Sequence, residues 1–286
     1  MPAGSAVFGV SEFTTWPWPF ERDVERYAAN GIAGIEICEF KLNKADYSMQ
    51  LALIPRAKLA VTSVQSTVHS IFPDSLAPQP SAPEDRIRHI RQAIERIAPH
   101  VPLGTPFIVI TGAAPDRNTA MVYERCLSAF DELATFGQRH GVRIAFEPLN
   151  PVLFNTDTAL WGLGNARQLV ERVGHEALGL CVDTWNIFET PNLYDEIRGC
   201  GDRIFLVQVS QWQQPRSAAD RRNLGEGAID NAGIIRTLRD AGYTGYYVLE
   251  IFSGESLPDS LWRADLDAVL RVNRNVFGLI WEQSAR

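Results

Sequence analysis

The chain has 286 residues, 45% hydrophobic and 21% charged, which is typical of a globular protein. Its formal net charge of −7 argues against a nucleic-acid partner, because such proteins usually present a basic face. No apolar run approaches the ~20 residues of a membrane-spanning helix, and the N-terminus lacks the basic and apolar regions of a signal peptide. We therefore expect a cytoplasmic protein with no membrane partner. The length suits either two small domains or one large α/β barrel.

The first half of the chain alternates between strand-like and helix-like segments. Short apolar runs predict strands over residues 5–10, 32–40, 61–65 and 106–112, of which the third is the weakest. Apolar residues at helical spacing predict helices over residues 20–31, 47–60, 84–98 and 119–140. Pro55 interrupts the second helix, and Gly31 and Gly141 suit the ends of the first and fourth.

A Pro-rich segment, residues 70–85, lies between the third strand and the helix that follows it. This segment could separate two domains, or it could be a long loop over an active site. We favour the loop.

The second half continues the alternation with stronger strands. Its apolar runs predict strands over residues 142–148, 178–183, 203–210 and 246–252. Its helical segments are residues 165–173, 193–200 and 230–241 and a closing helix from Leu257 onward. The near-continuous apolar strands are typical of parallel strands covered on both faces. About eight βα units predict a single (β/α)8 TIM barrel over residues 1–286. An open doubly wound sheet is the alternative, and the first βα turn lacks the GxGxxG of a dinucleotide-binding sheet.

Each of the last four predicted strands carries a possible metal ligand near its end: Glu147, Asp183, Gln208 and Glu250. In TIM barrels the chemistry lies at the C-terminal ends of the strands, so these side chains should meet at one mouth. Singly, each could cap a helix or face solvent. Together, several buried carboxylates would be costly without a cation. Their oxygen donors favour one Mn²⁺ or Mg²⁺ ion. Gln208 is the weakest of the four ligands, because it is neutral.

Several other side chains follow predicted strand ends and are candidates for binding substrate. Tryptophan rings can pack against a sugar ring or simply fill the barrel mouth, and an arginine can bind carboxylate or phosphate. The candidates are Trp16, His69, Trp185, Asn186, Trp212 and Arg221. The other four histidines lie in helices or helix-end turns, where we expect structural roles.

The second half of the chain resembles the xylose-isomerase-like TIM-barrel superfamily, and within it the sugar phosphate isomerase/epimerase group. The resemblance rests on Glu147 in FEPLN, Asp183 in VDTWN, the strand VQVSQ, the loop DRRNLGEGAID and Glu250 in VLEI. It implies that the four strand-end residues bind one divalent metal. It also implies that Glu147 and Glu250 flank the substrate as acid/base residues and that Arg221 contacts substrate.

Two positions depart from that family's pattern. Epimerases usually have His as the third ligand, where this chain has Gln208, although Gln also occurs there in the similar 3-dehydroshikimate dehydratases. Epimerases often have His three residues after the Asp ligand, where this chain has Asn186.

These features predict a metal-dependent isomerase or epimerase that acts on a sugar or keto-polyol by proton transfer next to a carbonyl. The same groups would support β-elimination, so a dehydratase is the first alternative. A non-catalytic sugar-binding barrel is the second. An endonuclease of the same fold would need more His and Asp ligands and a basic groove. The sequence leaves open a homo-oligomer and the identity of the substrate.

Overall fold

Eight parallel strands form a closed barrel in the computed structural model, which describes residues 7–214 and 220–285. Neighbouring strands pair in chain order, and β1 closes the barrel against β8 through Val7 with Tyr246 and Val10 with Leu249. The strands are β1 (Val7–Ser11), β2 (Gly34–Cys38), β3 (Ala60–Ser70), β4 (Pro106–Ile110), β5 (Arg143–Phe146), β6 (Leu178–Asp183), β7 (Ile204–Val209) and β8 (Tyr246–Leu249). The predicted α/β barrel is confirmed.

Helices surround the barrel, and none among the described residues is long and apolar enough to cross a membrane. They are α1 (Phe20–Ala29), α2 (Tyr47–Leu51), α3 (Leu53–Arg56), α4 (Pro83–Ile97), α5 (Thr119–Arg139), α6 (Leu163–Val173), α7 (Thr184–Ile187), α8 (Leu193–Cys200), α9 (Asn231–Asp240) and α10 (Leu266–Gln283). The segment predicted as helical over residues 47–60 forms two short helices, and the interruption lies at Ala52 and not at Pro55.

The closing helix starts later than its predicted start at Leu257. Residues 261–263 form a 3₁₀ turn, and the Asp265 side chain caps α10 by accepting a hydrogen bond from the backbone nitrogen of Asp267 at 3.1 Å. An N-cap of this kind satisfies a backbone donor that the first helical turn leaves free. The cap therefore fixes the helix start at Leu266.

Strand β3 has 11 residues and is the longest in the barrel, although residues 61–65 alone were predicted. Its extension contains Ser66, His69 and Ser70, whose side chains are buried although they are polar. Polarity lowered the strand signal in the sequence, but these residues face the inside of the molecule at the barrel mouth. The extension of β3 thus carries buried polar side chains.

The Pro-rich segment is the connection between β3 and α4, and it is tied to the end of β4. The backbone nitrogen of Phe72 donates to the oxygen of Thr111 at 2.9 Å, and that of Ala113 donates to the oxygen of Pro73 at 2.8 Å. Gly112, with a φ of +76°, allows this approach, since a Cβ there would lie 1.9 Å from the Phe72 oxygen. The segment is therefore a βα loop of the barrel, and Asp74, Ser75 and Leu76 within it line the cavity described below.

Two apolar layers enclose the strands. The larger layer lies between the strands and the surrounding helices. The smaller layer fills the barrel interior with Ile108, Ala145, Cys181, Leu206 and Val248. Strands that are buried on both faces explain the continuous apolar runs in the sequence.

Candidate active site

The four candidate ligands lie next to the inner core layer, on the side of the C-terminal ends of the strands. Successive side chains of a strand point to opposite faces, so residues two apart share a face. Moving two residues along the chain from Ala145, Cys181, Leu206 and Val248 gives Glu147, Asp183, Gln208 and Glu250. Glu147 and Glu250 continue the ladder beyond their strands, since their backbone nitrogens donate to the oxygens of Val109 and Val209, each at 3.1 Å. The barrel therefore directs all four side chains into its C-terminal mouth.

Three carboxylates form a compact acidic centre. One oxygen each from Glu147, Asp183 and Glu250 lies within 4.8 Å of the other two, and all three residues are buried. Oxygens on opposite sides of a divalent cation lie about 4–5 Å apart when metal–oxygen distances are about 2.0–2.6 Å. The spacing of this centre therefore suits a hard divalent cation.

Burial and mutual repulsion disfavour the ionised forms of these carboxylates in the metal-free protein. Burial raises the pKa of Glu147 well above its usual range, and the charges of Glu250 and Asp183 raise it further. Burial also raises the pKa of Glu250 to about 8, although the charge of Arg221 opposes the shift. For Asp183, burial raises the pKa and Arg221 again opposes it. A bound cation would remove this penalty.

Arg221 is a buried cation inside this centre. Its Nη1 lies 2.9 Å from Oδ2 of Asp183 and 2.5 Å from Oε2 of Glu250. The guanidinium carbon lies 4.9 Å from the ring centre of Trp185 and 5.0 Å from that of Phe252, so two aromatic rings contact the cation. Arg221 also lines the cavity described below, consistent with the predicted contact to substrate.

Asn186 orients two of the carboxylates. Its Nδ2 donates to Oε1 of Glu147 at 2.7 Å and to Oδ2 of Asp183 at 2.8 Å. Its own Oδ1 accepts from the backbone nitrogen of Asn150 at 3.0 Å. The residue predicted to bind substrate thus contacts the acidic centre directly.

Gln208 presents its amide nitrogen, not its oxygen, to the carboxylates. Nε2 donates to Oε1 of Glu250 at 3.0 Å and to both oxygens of Glu36, at 3.0 and 3.1 Å. Oε1 of Gln208 accepts a hydrogen bond from the Cys181 thiol at 3.1 Å. Gln208 lies at the centre, as predicted, but the group turned toward the centre is a hydrogen-bond donor.

A cavity of about 220 Å³ opens above the acidic centre. Its polar lining is Gln65, His69, Asp74, Ser75, Glu147, Asp157, Arg221 and Glu250, and its apolar lining is Leu76, Ile110, Leu149, Leu153 and Phe252. Sites for small molecules combine an apolar wall with a few convergent polar groups. The cavity therefore has the size and lining to hold a small polyhydroxylated compound against the carboxylates.

His69 lines this cavity, as predicted. Its Nε2 lies 4.0 Å from Oδ1 of Asp74. Arg86, which is fully buried, donates from Nη2 to Oδ2 of Asp74 at 3.1 Å. Burial lowers the pKa of His69, although the charge of Asp74 opposes the shift. A neutral imidazole at neutral pH can donate to one substrate hydroxyl and accept from another.

The predicted tryptophans lie outside the cavity lining in the described part of the chain. Trp185 is packed against Arg221, and Trp212 lies 5.6 Å from the ring of Phe188. Trp16 lies 5.5 Å from the ring of Phe13, which in turn stacks on Phe252 at 4.4 Å. Phe252 therefore supplies an aromatic ring to the cavity lining, and the ring of Phe13 lies between Phe252 and Trp16.

Sequence reasoning missed Glu36, Gln65, Asp74 and Asp157. A signal was present for Glu36, because GIEIC places one charged residue inside an otherwise apolar strand. A signal was also present for Gln65, because it is a polar residue at the end of the predicted third strand, as Gln208 is near the end of the seventh. Asp74 and Asp157 lie in loops, where no periodic pattern distinguishes a residue that lines the cavity.

Two curated proteins are similar to parts of this chain. An inosose isomerase from Halalkalibacterium halodurans is 23% identical over 160 residues, which cover 54% of this chain and 55% of that protein. A 3-dehydroshikimate dehydratase from Pseudomonas putida is 31% identical over 136 residues, 43% of this chain and 20% of that protein. The matched region thus spans about half of the first relative and a fifth of the second.

Solved structures share the fold over nearly the whole chain. The IOLI protein, described with a binding zinc atom, superposes with a TM-score of 0.80 and 16% identity over 97% of this chain and 98% of its own. An L-ribulose 3-epimerase superposes with a TM-score of 0.79 and 22% identity over 99% of this chain and 96% of its own. The sequence profile of the xylose isomerase-like TIM barrel family matches residues 24–272. With this match and the closed barrel of parallel strands, the chain belongs to the xylose isomerase-like TIM barrel family.

Proposed function

We propose that this protein is a divalent-metal-dependent isomerase or epimerase of a sugar or keto-polyol. The convergence of the buried carboxylates Glu147, Asp183 and Glu250 beneath the cavity carries the proposal. The inosose isomerase relative and the L-ribulose 3-epimerase of the same fold support it, because each is named for the rearrangement of a polyhydroxylated carbonyl compound.

The donor set fits a hard divalent cation such as Mn²⁺ or Mg²⁺. Glu147, Asp183 and Glu250 would hold it, and the zinc described in the IOLI protein supports a metal in this fold. Gln208 would join them as the fourth ligand only with its amide reversed, because its nitrogen faces the carboxylates. When bound, the cation supplies Lewis-acid stabilisation of the negative charge that develops on a substrate carbonyl oxygen.

Glu147 is the better placed of the two glutamates to remove a proton. Among the described residues, Asn186 donates a hydrogen bond to Oε1 of Glu147. In Glu250, by contrast, both carboxylate oxygens accept hydrogen bonds. Glu147 takes the proton from the carbon next to the carbonyl. The electron pair of that C–H bond forms a carbon–carbon double bond, and the π pair of the carbonyl moves to its oxygen. Glu250 then delivers a proton to the opposite face of that carbon in an epimerase, or to the neighbouring carbon in an isomerase.

Other residues bind and orient the substrate. His69 and Arg221 line the cavity and can contact hydroxyl groups, while Phe252 and the leucines of the wall cover the less polar face. Asn186 keeps Glu147 and Asp183 in place through its two hydrogen bonds. Burial of the centre limits water access and so strengthens its electrostatic interactions.

A turnover screen tests the proposal. Ketoses, inososes and dehydroshikimate would be incubated with the protein and Mn²⁺ or Mg²⁺ in deuterated water. We expect at least one ketose or inosose to incorporate deuterium next to its carbonyl, and Glu147→Gln to abolish that exchange. A folded, metal-loaded protein that binds sugars but exchanges no deuterium with any of them would favour a sugar-binding barrel without catalysis.

A dehydratase is the second candidate function, and the 31% identity to a 3-dehydroshikimate dehydratase favours it. Removal of the same proton would be followed by loss of a hydroxyl group from the adjacent carbon, which forms a carbon–carbon double bond and releases water. The screen separates the two functions, because elimination gives a product lighter by one water and epimerisation gives an isomer of equal mass.

A further inference from the structure

Two further carboxylates, those of Asp74 and Asp157, line the cavity in addition to the acidic centre. Asp74 lies on the loop after β3 and Asp157 on the loop after β5, whereas Glu147 and Glu250 directly follow their strands. A substrate whose carbonyl lies at the acidic centre would therefore extend its remaining carbons toward these two loops.

Three consecutive backbone N–H groups bind these two carboxylates. The nitrogen of Ser75 donates to Oδ1 of Asp157 at 2.7 Å, and the nitrogens of Leu76 and Ala77 donate to Oδ1 of Asp74 at 2.9 and 2.8 Å. Successive backbone N–H groups in a turn often form a binding place for phosphate and other anions. Here the protein's own carboxylates occupy all three groups, so none of them is left for an anionic group of a ligand.

The positive charges at the cavity are also already used among the described residues. Arg86 donates to Oδ2 of Asp74 at 3.1 Å, and Arg221 is paired with two carboxylates of the acidic centre. Burial lowers the pKa of His69, so its ring is neutral at neutral pH. A ligand phosphate or carboxylate would therefore meet no uncompensated cation in this part of the chain.

Asp157 has a negative charge to spare and room for further hydrogen bonds. Its Oδ1 accepts from Ser75 and its Oδ2 accepts from Oγ1 of Thr156 at 3.0 Å. A carboxylate offers about four lone-pair sites, so each oxygen can accept one more hydrogen. In the described part of the chain Asp157 forms no salt bridge, whereas the charge of Asp74 is compensated by Arg86.

We infer that Asp157, together with Asp74, selects uncharged polyhydroxylated substrates and excludes phosphorylated and carboxylated ones. The inference rests on the proposed function for the place of the substrate, and deepens it by naming the substrate class. Asp157 accepts the hydrogen of a substrate hydroxyl. A phosphate or carboxylate in the same place would meet a like charge in a cavity that screens charges less than bulk water does.

Binding of matched neutral and anionic compounds tests the inference. The probes are D-fructose with D-fructose 6-phosphate, and an inosose with 3-dehydroshikimate, each titrated by NMR with Mg²⁺ and again in EDTA. We expect the neutral member of each pair to bind at least about tenfold more tightly to the wild type. Raising NaCl from about 0.05 M to about 0.5 M should reduce this preference, because salt screens charges. Exclusion of the anionic member by its size alone would not depend on salt.

Asp157→Asn retains the shape of the side chain and one acceptor oxygen but removes the charge. We expect it to reduce the preference for the neutral compound by about three- to tenfold. Asp116→Asn is the matched control, because Asp116 is an exposed residue on the loop after β4, outside the cavity lining. Its φ of +51° is one that asparagine also adopts. The control should keep the wild-type preference.

Each outcome decides between the inference and the proposed function. Equal or tighter binding of the anionic compounds by the wild type, or an unchanged preference in Asp157→Asn, would refute the inference. If the phosphate exchanges deuterium faster than D-fructose, the proposed function stands and the inference fails. If the neutral compounds bind with the expected preference but exchange no deuterium, the inference stands and the proposed function fails. If none of the four compounds binds, both are wrong.

Discussion

Nη1 of Arg221 lies 2.5 Å from Oε2 of Glu250, so the protein supplies its own cation to the centre where we propose that a metal binds. Both groups are buried, and two aromatic rings flank the guanidinium. Removal of one partner from a buried ion pair leaves the other charge without compensation and is strongly destabilising.

We expect Arg221→Met to lower the free energy of unfolding of the metal-free protein by about 3–5 kcal/mol. Mn²⁺ should restore part of that loss, because the cation neutralises the same carboxylates. Urea unfolding with and without Mn²⁺ measures both effects. Arg198→Met is the control, since Arg198 and the Asp195 carboxylate that it contacts at 2.7 Å are both exposed, and such pairs contribute at most about 1 kcal/mol. Equal losses in the two variants would contradict the prediction.

Replacement of either glutamate by its amide separates proton transfer from binding. Glu147→Gln and Glu250→Gln keep an oxygen donor of nearly the same shape but remove the base. Turnover should fall by roughly 10²- to 10⁴-fold, and metal binding should weaken much less. Steady-state kinetics at saturating Mn²⁺, combined with deuterium exchange, provide the measurement. Near wild-type turnover in either variant would show that its carboxylate is not a base.

Metal-free stability should fall as the pH rises. Burial raises the pKa of Glu250 to about 8, and burial with the neighbouring charges raises that of Glu147. At pH values between the ordinary carboxyl pKa and these raised pKa values, the native protein therefore binds more protons than the unfolded chain. Stability is therefore fully present below the ordinary value and is lost as the pH increases, by up to about 1.4 kcal/mol per pH unit for each group.

Urea unfolding in EDTA at about pH 5 and about pH 8 tests this dependence, and we expect the lower stability at the higher pH. Saturating Mn²⁺ should flatten or reverse the trend, because the metal binds the ionised carboxylates. If the free energy of unfolding of the metal-free protein increased between these two pH values, the prediction that the ionised carboxylates destabilise the centre would be wrong.

Chelation should abolish activity, and Mn²⁺ or Mg²⁺ should restore it. Metal at 100 times its dissociation constant should also add about 2.7 kcal/mol to the free energy of unfolding, since only the folded chain assembles the three carboxylates. Activity assays and thermal melts after EDTA treatment and metal addition measure the two effects. Zn²⁺ belongs in the same series because the IOLI protein is described with zinc. Full activity in metal-free protein would end the proposed mechanism.

His69 should contribute to substrate binding rather than to the metal site. We expect His69→Asn to raise KM by about tenfold, the loss of one hydrogen bond of about 1.4 kcal/mol, with little change in Mn²⁺ affinity. His89 lies on the exposed face of α4, so His89→Asn is the control that should leave KM unchanged. A His69→Asn protein with wild-type KM would remove this residue from the binding site.

The strand-end pattern predicted the position of the centre, because period-two alternation in a parallel barrel determines which side chains meet. Glu147, Asp183 and Glu250 follow from that rule alone. The direction of hydrogen bonds does not follow from that rule. The sequence places Gln208 at the centre, but the orientation of its amide depends on the thiol of Cys181 and the carboxylate of Glu36, which come from other parts of the chain.

Aromatic residues show a second reason for incomplete prediction. Trp16, Trp185 and Trp212 follow strand ends as Phe252 does, but only the packing of rings against one another determines which one reaches the cavity. The length of strand β3 was underestimated for the opposite reason, since its buried polar residues, which include Gln65 and His69 of the cavity lining, weaken the apolar signal of the strand.

The contact between Gly112 and Phe72 has a consequence for efforts to change specificity by directed evolution. Main chain meets main chain there, and any residue other than glycine at position 112 would separate the loop after β3 from the loop after β4. Variation is better tolerated at Leu149, Leu153 and Phe252, whose side chains line the cavity and can change in size. New substrates should therefore be accommodated by substitutions in the loops after β5 and β8, while the loop after β4 keeps its sequence.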